Sequence, residues 1–438
     1  MIEIDSSPSA GTAEIARFAA ELCRAEGLHV EIQHETHNGL SQANVIARPV
    51  DTRPSEEFLL QTHLDTHDPG NYALWTKTGA NPFNASIYTD TIYGLGAASA
   101  KLDFLCKLKA IGALKNERWK LPPVLVGTYG EELGMQGAVK LIRKKMISAQ
   151  MALVGEPTGL ALVGAAKGFA GVEIEIPFSD EEREFRAQHD LGDGTTTQSR
   201  VFIGKAAHSS APQLGDSAIL KLLDYLTKLP EGLAIMEIEG GISYNTVPAH
   251  AVLEIDMVGN LRDSMASKIT RVTKAIREVE KRFEAYPDYE FEPPLPSLNI
   301  GMIRTYEDHI KMSGCCRLPP TVTNEVYEEW MSIIREACEQ VGAVLRITDY
   351  KQPFRTAADG PLVKICQDEL TSLGRSARCG TLAVTNEANV FSRFGISCVV
   401  IGPGQGGGNS HAPNEHVSIS ELNEAVRFYT GVLKRACL

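Results

Sequence analysis

Histidine and acidic residues follow several separate apolar runs, and this placement constrains the fold more than any other feature. Each of four runs is followed by such residues: 58–62 by His63 and Asp65, 124–128 by Glu131 and Glu132, 151–154 by Glu156, and 398–401 by His411. Short apolar runs predict buried strands. In open α/β sheets, ligands gather outside the carboxyl ends of the strands. The runs therefore predict a mostly parallel sheet whose edge collects the donors of a hydrolytic zinc or cobalt centre.

The chain is too long for one hydrophobic core, and its pattern changes twice. With 438 residues, two domains are expected. Up to about Glu156, apolar strands alternate with helical patterns, which is typical of a parallel sheet covered by helices. From about Gly168 the strands alternate like those of an antiparallel sheet, and the polar stretch 179–200 is expected to be a mobile connection between two of them. The simplest interpretation is an α/β domain formed by residues 1–168 and 348–438, with an inserted α+β domain at 169–347.

Composition and charge argue against several classes of protein. A net charge of −12 and a pI near 5.5 argue against nucleic-acid and anionic membrane partners. The first residues show no secretory signal, and no apolar stretch is long enough to span a bilayer. The adjacent Cys315 and Cys316 lie in an apolar strand and favour reduced thiols over a disulfide framework. A cytoplasmic location is expected.

Two residue pairs indicate the chemistry of the predicted centre. In a His63-x-Asp65 pair the carboxylate can orient a metal-bound imidazole, although a single pair by itself favours a loop hydrogen bond. Of the adjacent Glu131 and Glu132, one can bind a metal while the other acts as a general base toward the attacking water. Alone, they would be two solvated glutamates at a helix start. The combination of strand-end sites favours the metal centre.

The chain resembles the aminoacylase and carboxypeptidase superfamily with co-catalytic metals, which includes acetylornithine deacetylase and succinyl-diaminopimelate desuccinylase. The similarity covers essentially the whole length. Its short motifs are Thr62-His63-Leu64-Asp65, Gly130-Glu131-Glu132-Leu133-Gly134, Gly155-Glu156-Pro157-Thr158, Gly204-Lys205-Ala206-Ala207-His208-Ser209-Ser210, Asn245-Thr246-Val247-Pro248 and Ser410-His411-Ala412-Pro413-Asn414-Glu415. The resemblance implies a zinc-peptidase-like catalytic domain with an inserted lid domain that forms a homodimer. It also implies a metal-dependent amidohydrolase acting on an N-acyl amino acid or a small peptide-like amide.

The same resemblance implies a set of metal ligands. His63 and Glu156 would bind one Zn²⁺ or Co²⁺ ion. His411 and Glu132 would bind the other. Asp65 would orient His63.

The resemblance also implies the residues that act on the substrate. Glu131 would be the general base. His208, in the lid, would reach the active site of the other subunit and stabilise the tetrahedral oxyanion. Asn245 would contact the substrate, although its position before Val247 and Pro248 also suits a turn former. Arg317, at the end of a lid strand, is predicted either to grip a substrate carboxylate or to form a surface ion pair.

Ser99 departs from the family pattern, which has an aspartate bridging both metals at this position. A bridging carboxylate supplies an oxygen to each ion and screens their repulsion at about 3.5–4 Å, and a neutral hydroxyl does neither well. We therefore expect fewer ions than the family's two, with one tightly bound per chain. Asp103, about one helical turn further on, is expected to lie too deep to compensate.

Two other functions are weighed against hydrolysis. A member of the same fold with crippled catalysis would bind a ligand without cleaving it; Ser99 favours this alternative and the intact Glu131 argues against it. A nucleotide-dependent oxidoreductase rests on Gly94 and Gly96 before a helix, but Ser99 replaces the third glycine of the fingerprint and no strand-end acid follows at the required offset.

One glycine-rich stretch and four further histidines are not assigned a catalytic or binding role. The glycine-rich stretch 402–408 lacks the Lys-Ser/Thr ending of a phosphate loop and is interpreted as a flexible loop that carries His411. Four further histidines are interpreted as loop or strand residues without a functional role: His67, His250, His309 and His416.

Overall fold

The computed structural model describes residues 1–51, 53–188, 198–230, 233–257, 261 and 263–438. The chain forms two compact units. The first consists of Met1–Ala165, Phe354–Thr381 and Asn386–Leu438, and the second of Ala166–Pro353 and Leu382–Thr385. The predicted insertion at 169–347 lies within the main segment of the second unit. Of the stretch expected to be a mobile connection, Asp180–Gln188 is a helix and residues 189–197 lie outside the described part of the chain.

The elements alternate in the first unit and are grouped around one antiparallel sheet in the second. The α-helices are α1 (Ala13–Ala25), α2 (Lys101–Gly112), α3 (Gln136–Arg143), α4 (Asp180–Gln188), α5 (Ala218–Leu226), α6 (Met265–Arg282), α7 (Asn324–Glu339), α8 (Pro361–Ser372), α9 (Glu387–Arg393) and α10 (Ile419–Cys437). The strands are β1 (His29–His37), β2 (Leu40–Arg48), β3 (Glu57–His63), β4 (Ser86–Tyr88), β5 (Thr91–Tyr93), β6 (Pro123–Thr128), β7 (Ala149–Gly155), β8 (Leu162–Ala166), β9 (Gly168–Pro177), β10 (Gln198–Ile203), β11 (Ala207–His208), β12 (Leu233–Gly240), β13 (Thr246–Val247), β14 (His250–Met257), β15 (Ser297–Thr305), β16 (His309–Leu318), β17 (Val344–Lys351), β18 (Phe354–Arg355), β19 (Cys379–Leu382), β20 (Ser397–Val400) and β21 (His416–Ser418).

The first unit is built on a sheet whose central strands are parallel. Its strand order in the described residues is β1-β2-β6-β3-β7-β20-β8-β18, with β19 paired to β8. Strands β6, β3, β7 and β20 run parallel, whereas β1, β2 and β8 pair antiparallel toward the edges. Strands β3 and β6 are buried along their whole length, because helices α1, α2, α8 and α10 pack into one core with this sheet. The predicted mostly parallel α/β sheet is confirmed at its centre, and antiparallel strands extend its edges.

A buried polar network lies beneath the carboxyl end of β3. The Asp103 carboxylate accepts hydrogen bonds from Thr62 Oγ1 at 2.7 Å and from the Tyr429 hydroxyl, and it lies 2.7 Å from Lys107 Nζ. These hydrogen bonds and this ion pair hold the Asp103 carboxylate in the core. The sequence analysis likewise expects Asp103 to lie too deep to replace a carboxylate at position 99. Helix α2 begins at Lys101, so Ser99 precedes the helix and does not share a helical face with Asp103.

The second unit is an α+β structure with a seven-stranded antiparallel sheet. Its order is β10-β14-β12-β15-β16-β9-β17. The alternation predicted for residues 171–176 directs Val172, Ile174 and Ile176 into a core shared with α5, α6 and α7. On the opposite face, Glu173 pairs with Lys311 at 2.8 Å. One face of this sheet therefore packs against helices and the other carries charge.

Two sequence expectations concern thiols and membrane spans. Eight of the nine cysteine thiols are buried, including those of Cys315 and Cys316 in β16. Within the described ranges, no helix combines the length and the apolarity needed to cross a bilayer.

The close approach of β7 to the buried network predicts that Gly155→Ala destabilises the first unit. A Cβ at Gly155 would overlap Asp103 Oδ2 and lie 2.6 Å from Lys107 Nζ. Because overpacking a dense core costs about 1–3 kcal/mol, the thermal unfolding midpoint should fall by several degrees. Gly407→Ala is the matched control, since a Cβ there meets nothing within 4 Å. Calorimetry measures both midpoints, and equal values would contradict the prediction.

Candidate metal centre

The strand register brings the predicted donors to one edge of the sheet. Thr62, in β3, pairs with Gly127 of β6 on one side and with Gly155 of β7 on the other. The three strands therefore end at the same level, and the residues that follow them meet there. His63 closes β3, and Glu156 follows β7 directly. This is the crevice at the carboxyl ends of parallel strands.

Asp65 connects the end of β3 to the turn after β6. Its Oδ1 accepts a hydrogen bond from the main-chain N–H of Glu131 at 3.2 Å, and its Oδ2 accepts one from the N–H of Glu132 at 3.0 Å. Nδ1 of His63 lies 3.0 Å from the main-chain carbonyl oxygen of Asp65 and 3.6 Å from its Oδ1. Asp65 therefore orients the His63 ring chiefly through its backbone, while its carboxylate fixes the two glutamates.

The other ring nitrogen of His63 has the environment of a metal ligand. The side chain is 1% exposed, and Nε2 has no hydrogen-bond partner among the described residues. A buried polar atom without a partner costs free energy, so its burial requires an explanation. A divalent cation at Nε2 would provide the partner, because Nδ1 is already turned toward Asp65.

Negative charge is crowded around His63. Burial and the charges of Glu156 and Glu132 raise the pKa of Glu131 well above its ordinary value. Burial also raises the pKa of Glu156 to about 7, against the opposing effect of His63. Burial lowers the pKa of His63, but the nearby Asp65 carboxylate and the charges of Glu131 and Glu156 outweigh it and raise that pKa well above the usual range. Mutual repulsion of this kind is what a bound cation relieves. These donors therefore fit the predicted metal.

His411 meets Glu132 at the outer side of the same edge. Its Nε2 lies 2.8 Å from Glu132 Oε1, and its side chain is 53% exposed. Burial raises the pKa of Glu132, but the hydrogen bond and charge of His411 bring it below its ordinary value. His411 has a φ of 61°, a left-handed conformation at the end of the glycine-rich loop that follows β20.

The segment that contains Ser99 is tied to the His411 loop by a buried glutamate. Glu415 Oε1 accepts hydrogen bonds from the main-chain N–H groups of Ala98 and Ser99, both at 2.8 Å, and Oε2 accepts one from Gly96 at 3.0 Å. Ser99 itself is 5% exposed. The backbone around this position is therefore held by contacts that do not involve the side chain of residue 99.

His67 lies at the site, although the sequence analysis interprets it as a loop or strand residue without a functional role. Its ring stacks on that of His411, with centroids 4.4 Å apart and an angle of 29° between the planes. Donor atoms of His67, Glu132 and His411 all lie within 4.8 Å of one another. A histidine four residues after His63 is a weak signal by itself, because the loop after a strand can turn in any direction.

Glu387 is a second residue that sequence analysis missed. It is 1% exposed at the start of α9, and its Oε2 accepts hydrogen bonds from Thr128 Oγ1 at 2.8 Å and from Gln61 Nε2. Burial raises its pKa to about 8. Since Gln61 and Thr128 stand near the carboxyl ends of β3 and β6, Glu387 supports these strand ends from within the core.

Three predicted substrate-site residues gather in the second unit around Ser209. The N–H of Ser209 donates to the main-chain oxygen of Asn245 at 2.8 Å, and Arg317 donates to Ser209 Oγ at 3.4 Å. His208, in β11, is exposed, and its Nδ1 lies 2.7 Å from Ser210 Oγ. The Asn245 side chain accepts a hydrogen bond from the Ser243 hydroxyl at 2.7 Å, as a turn residue does.

Arg317 has the surroundings of an anion-binding group. It is 5% exposed and stacks over the Phe169 ring at 4.9 Å. Arg317 forms no ion pair with a carboxylate of the described residues. The surface ion pair that the sequence analysis considered is therefore not observed among them. Burial lowers the pKa of the guanidinium. A buried cation without an acidic partner is expensive, and a substrate carboxylate would offset that cost.

Comparison with known proteins bears on this arrangement. The sequence pattern of peptidase family M20/M25/M40 matches residues 59–435. Acetylornithine deacetylase of Aliivibrio fischeri strain MJ11 is 24% identical to this chain, over 99% of the chain and 94% of that protein. Aminoacylhistidine dipeptidase from Vibrio alginolyticus has a TM-score of 0.66 at 15% identity, covering 97% and 92% of the two chains. An M20 family metallo-carboxypeptidase from Sulfolobus solfataricus has a TM-score of 0.60 at 20% identity, covering 96% and 93%. At these identities, the solved structures show a shared fold.

The two hydrogen bonds accepted by Asp65 predict that Asp65→Asn weakens metal binding. An asparagine amide has only one acceptor oxygen, so one of the N–H groups of Glu131 and Glu132 loses its partner. Loss of such an outer contact should lower zinc affinity about 10–100-fold, measured by competition with a chromophoric chelator. Asp359→Asn is the matched control, because Asp359 is exposed and belongs to the same compact unit but is not adjacent in sequence to any candidate ligand. Equal affinities of the two variants would contradict the role given to Asp65.

Proposed function

Because the chain belongs to peptidase family M20/M25/M40 and is a metal-dependent amidohydrolase or peptidase, we propose that it hydrolyses an N-acyl amino acid or a small peptide-like amide. The observation that carries this proposal is the buried, unpartnered Nε2 of His63 amid crowded carboxylates. The names of the acetylornithine deacetylase and dipeptidase relatives support this class of substrate.

The donors at the sheet edge would hold the metal. His63 and Glu156 would bind at the buried side, and Glu132 and His411 at the exposed side. Zn²⁺ or Co²⁺ suits a set of imidazoles and carboxylates. A divalent ion bound here would polarise the scissile carbonyl and lower the pKa of the attacking water. Because Ser99 provides no bridging carboxylate, we expect one ion to be held tightly per chain.

Glu131 is the proposed general base. Its main chain is fixed by Asp65, and its carboxylate lies in the buried part of the site, where Glu156 and Glu132 raise its pKa. Glu131 must be ionised to take a proton from water. A cation bound nearby would relieve the repulsion from these two carboxylates and so favour the ionised form of Glu131. The proton would then pass from Glu131 to the leaving amine.

Residues of the second unit would bind the substrate. Arg317 would hold its carboxylate, since the guanidinium is buried beside Ser209 and Phe169. Asn245 would contact the amide. His208 would donate a hydrogen bond to the oxyanion in the active site of the other subunit of a homodimer.

A second candidate is a homologue that binds the same ligands without hydrolysing them. Ser99 favours this alternative, because one carboxylate fewer weakens the metal centre. Metal binding without any turnover of N-acyl amino acids or dipeptides by the purified protein would favour it over the hydrolase.

The division of labour between the adjacent glutamates gives a direct test. Glu131→Gln should reduce hydrolysis at least about 100-fold, as expected when a general base is lost, and should leave the zinc content unchanged. Glu132→Gln is the matched variant and should lower both turnover and zinc content. Inductively coupled plasma mass spectrometry on dialysed protein measures the metal. Equal metal loss in both variants would show that the two roles are assigned wrongly.

The proposed action of His208 across a dimer predicts complementation. His208→Ala should slow turnover while zinc stays bound, because the residue is an oxyanion donor and not a ligand. Mixing it with Glu131→Gln should restore part of the activity, since a mixed dimer contains one site with both residues intact. Subunit exchange is verified with differently tagged chains. Exchange without recovered activity would place His208 outside the other subunit's site.

A further inference from the structure

We propose that His67 is a metal ligand in this chain and completes, with Glu132 and His411, a three-donor site for one divalent cation of the zinc or cobalt class. The inference rests on the proposed function, because it concerns the same metal centre. It adds a ligand that the sequence pattern did not assign. It also identifies the exposed side of the sheet edge as the tighter half of the site.

The positions of the donor atoms are the first argument. One nitrogen each of His67 and His411 and one oxygen of Glu132 lie within 4.8 Å of one another. With bonds of about 2.0–2.1 Å, ligands of a tetrahedral zinc ion lie about 3.3 Å apart. His411 Nε2 and Glu132 Oε1 are already 2.8 Å apart, and the rings of the two histidines are stacked with their centroids 4.4 Å apart. The separations therefore exceed this spacing by at most about 1.5 Å, which small side-chain rotations can close around an ion.

The chemistry of the donors is the second argument. Two imidazoles with one carboxylate form a ligand set found in catalytic zinc sites, which keep the fourth position open. The His411 side chain is half exposed and Glu132 retains some exposure, so an ion can enter from solvent. Glu132 supplies one negative charge, and the two neutral imidazoles add no repulsion to the crowded carboxylates nearby.

The surrounding backbone holds the three residues in place. The N–H of Glu132 is bound by Asp65. The N–H of Thr66, which precedes His67, donates to the main-chain oxygen of Ser6 at 3.1 Å. Glu415 fastens the loop of His411 to the segment around Ser99. A site whose ligands are positioned by contacts of this kind loses less conformational freedom when an ion binds.

Ser99 explains why a neutral ligand at position 67 matters. A bridging carboxylate would add an oxygen to the ion held by Glu132 and His411, and serine does not replace it well. His67 supplies the third donor from another direction. As a neutral group bound to one ion, it does not screen the repulsion between two ions. The arrangement therefore favours a single ion at Glu132, His411 and His67, and the pair of His63 and Glu156 becomes the weaker half.

Zinc binding by the full-length protein tests the inference. His67→Ala should weaken the tightest zinc site by about 100-fold or more. Loss of a residue that only holds a ligand in place costs about 10–100-fold in metal affinity, and loss of a ligand should cost more. Glu132→Gln and His411→Ala should weaken the same site. His34→Ala, an exposed histidine on β1, is the matched control and should leave the affinity unchanged. Circular dichroism verifies that each variant is folded.

X-ray absorption spectra of protein loaded with one equivalent of zinc provide a second measurement. Two imidazole ligands are expected in the unaltered protein and one in His67→Ala. Introducing Ser99→Asp together with His67→Ala should restore much of the lost affinity, because the added carboxylate replaces the missing donor.

The outcomes separate this inference from the proposed function. Unchanged zinc affinity in His67→Ala, with large losses in Glu132→Gln and His411→Ala, would overturn the role of His67 and leave the hydrolase intact. No zinc binding by the unaltered protein would overturn both. A one-imidazole spectrum in the unaltered protein would also overturn the inference.

Discussion

One carboxylate, that of Asp65, holds the candidate site together. It accepts hydrogen bonds from the main-chain N–H groups of two consecutive glutamates, and the backbone carbonyl of Asp65 faces the ring of His63. A single residue thus couples the end of β3 to the turn after β6. Without that link the glutamate turn would have to satisfy two N–H groups with water. The positions of Glu131 and Glu132, and so their separate roles, depend on it.

Much of the fold could be predicted because it follows from local patterns. The buried runs before His63, Glu131 and Glu156 are strands of one sheet in register, as a continuous apolar run of that length indicates. The alternation of apolar and charged residues in β9 correctly indicated an antiparallel sheet. Antiparallel pairing at the edges of the first sheet was not apparent, because periodicity identifies a strand but does not give its partner or direction.

The site was predicted less completely, because tertiary contacts decide it. His67 and His411 are far apart in sequence, and their rings meet through two loops whose course no propensity determines. The main-chain contact between Asp65 and His63 was likewise not predictable, since a motif shows which groups are near and not which oxygen is used. The sequence places Asp103 about one helical turn beyond Ser99, whereas α2 begins two residues after Ser99, within the usual error of a helix boundary.

The bonds that Glu415 makes to the segment around Ser99 have a consequence for how this site can evolve. All of them end on main-chain N–H groups, so the shape of the segment does not depend on the identity of residue 99. A mutation there can change the charge of the metal centre while the loop keeps its conformation. A single substitution at position 99 therefore alters the charge at the sheet edge and removes none of the hydrogen bonds that Glu415 accepts from this segment.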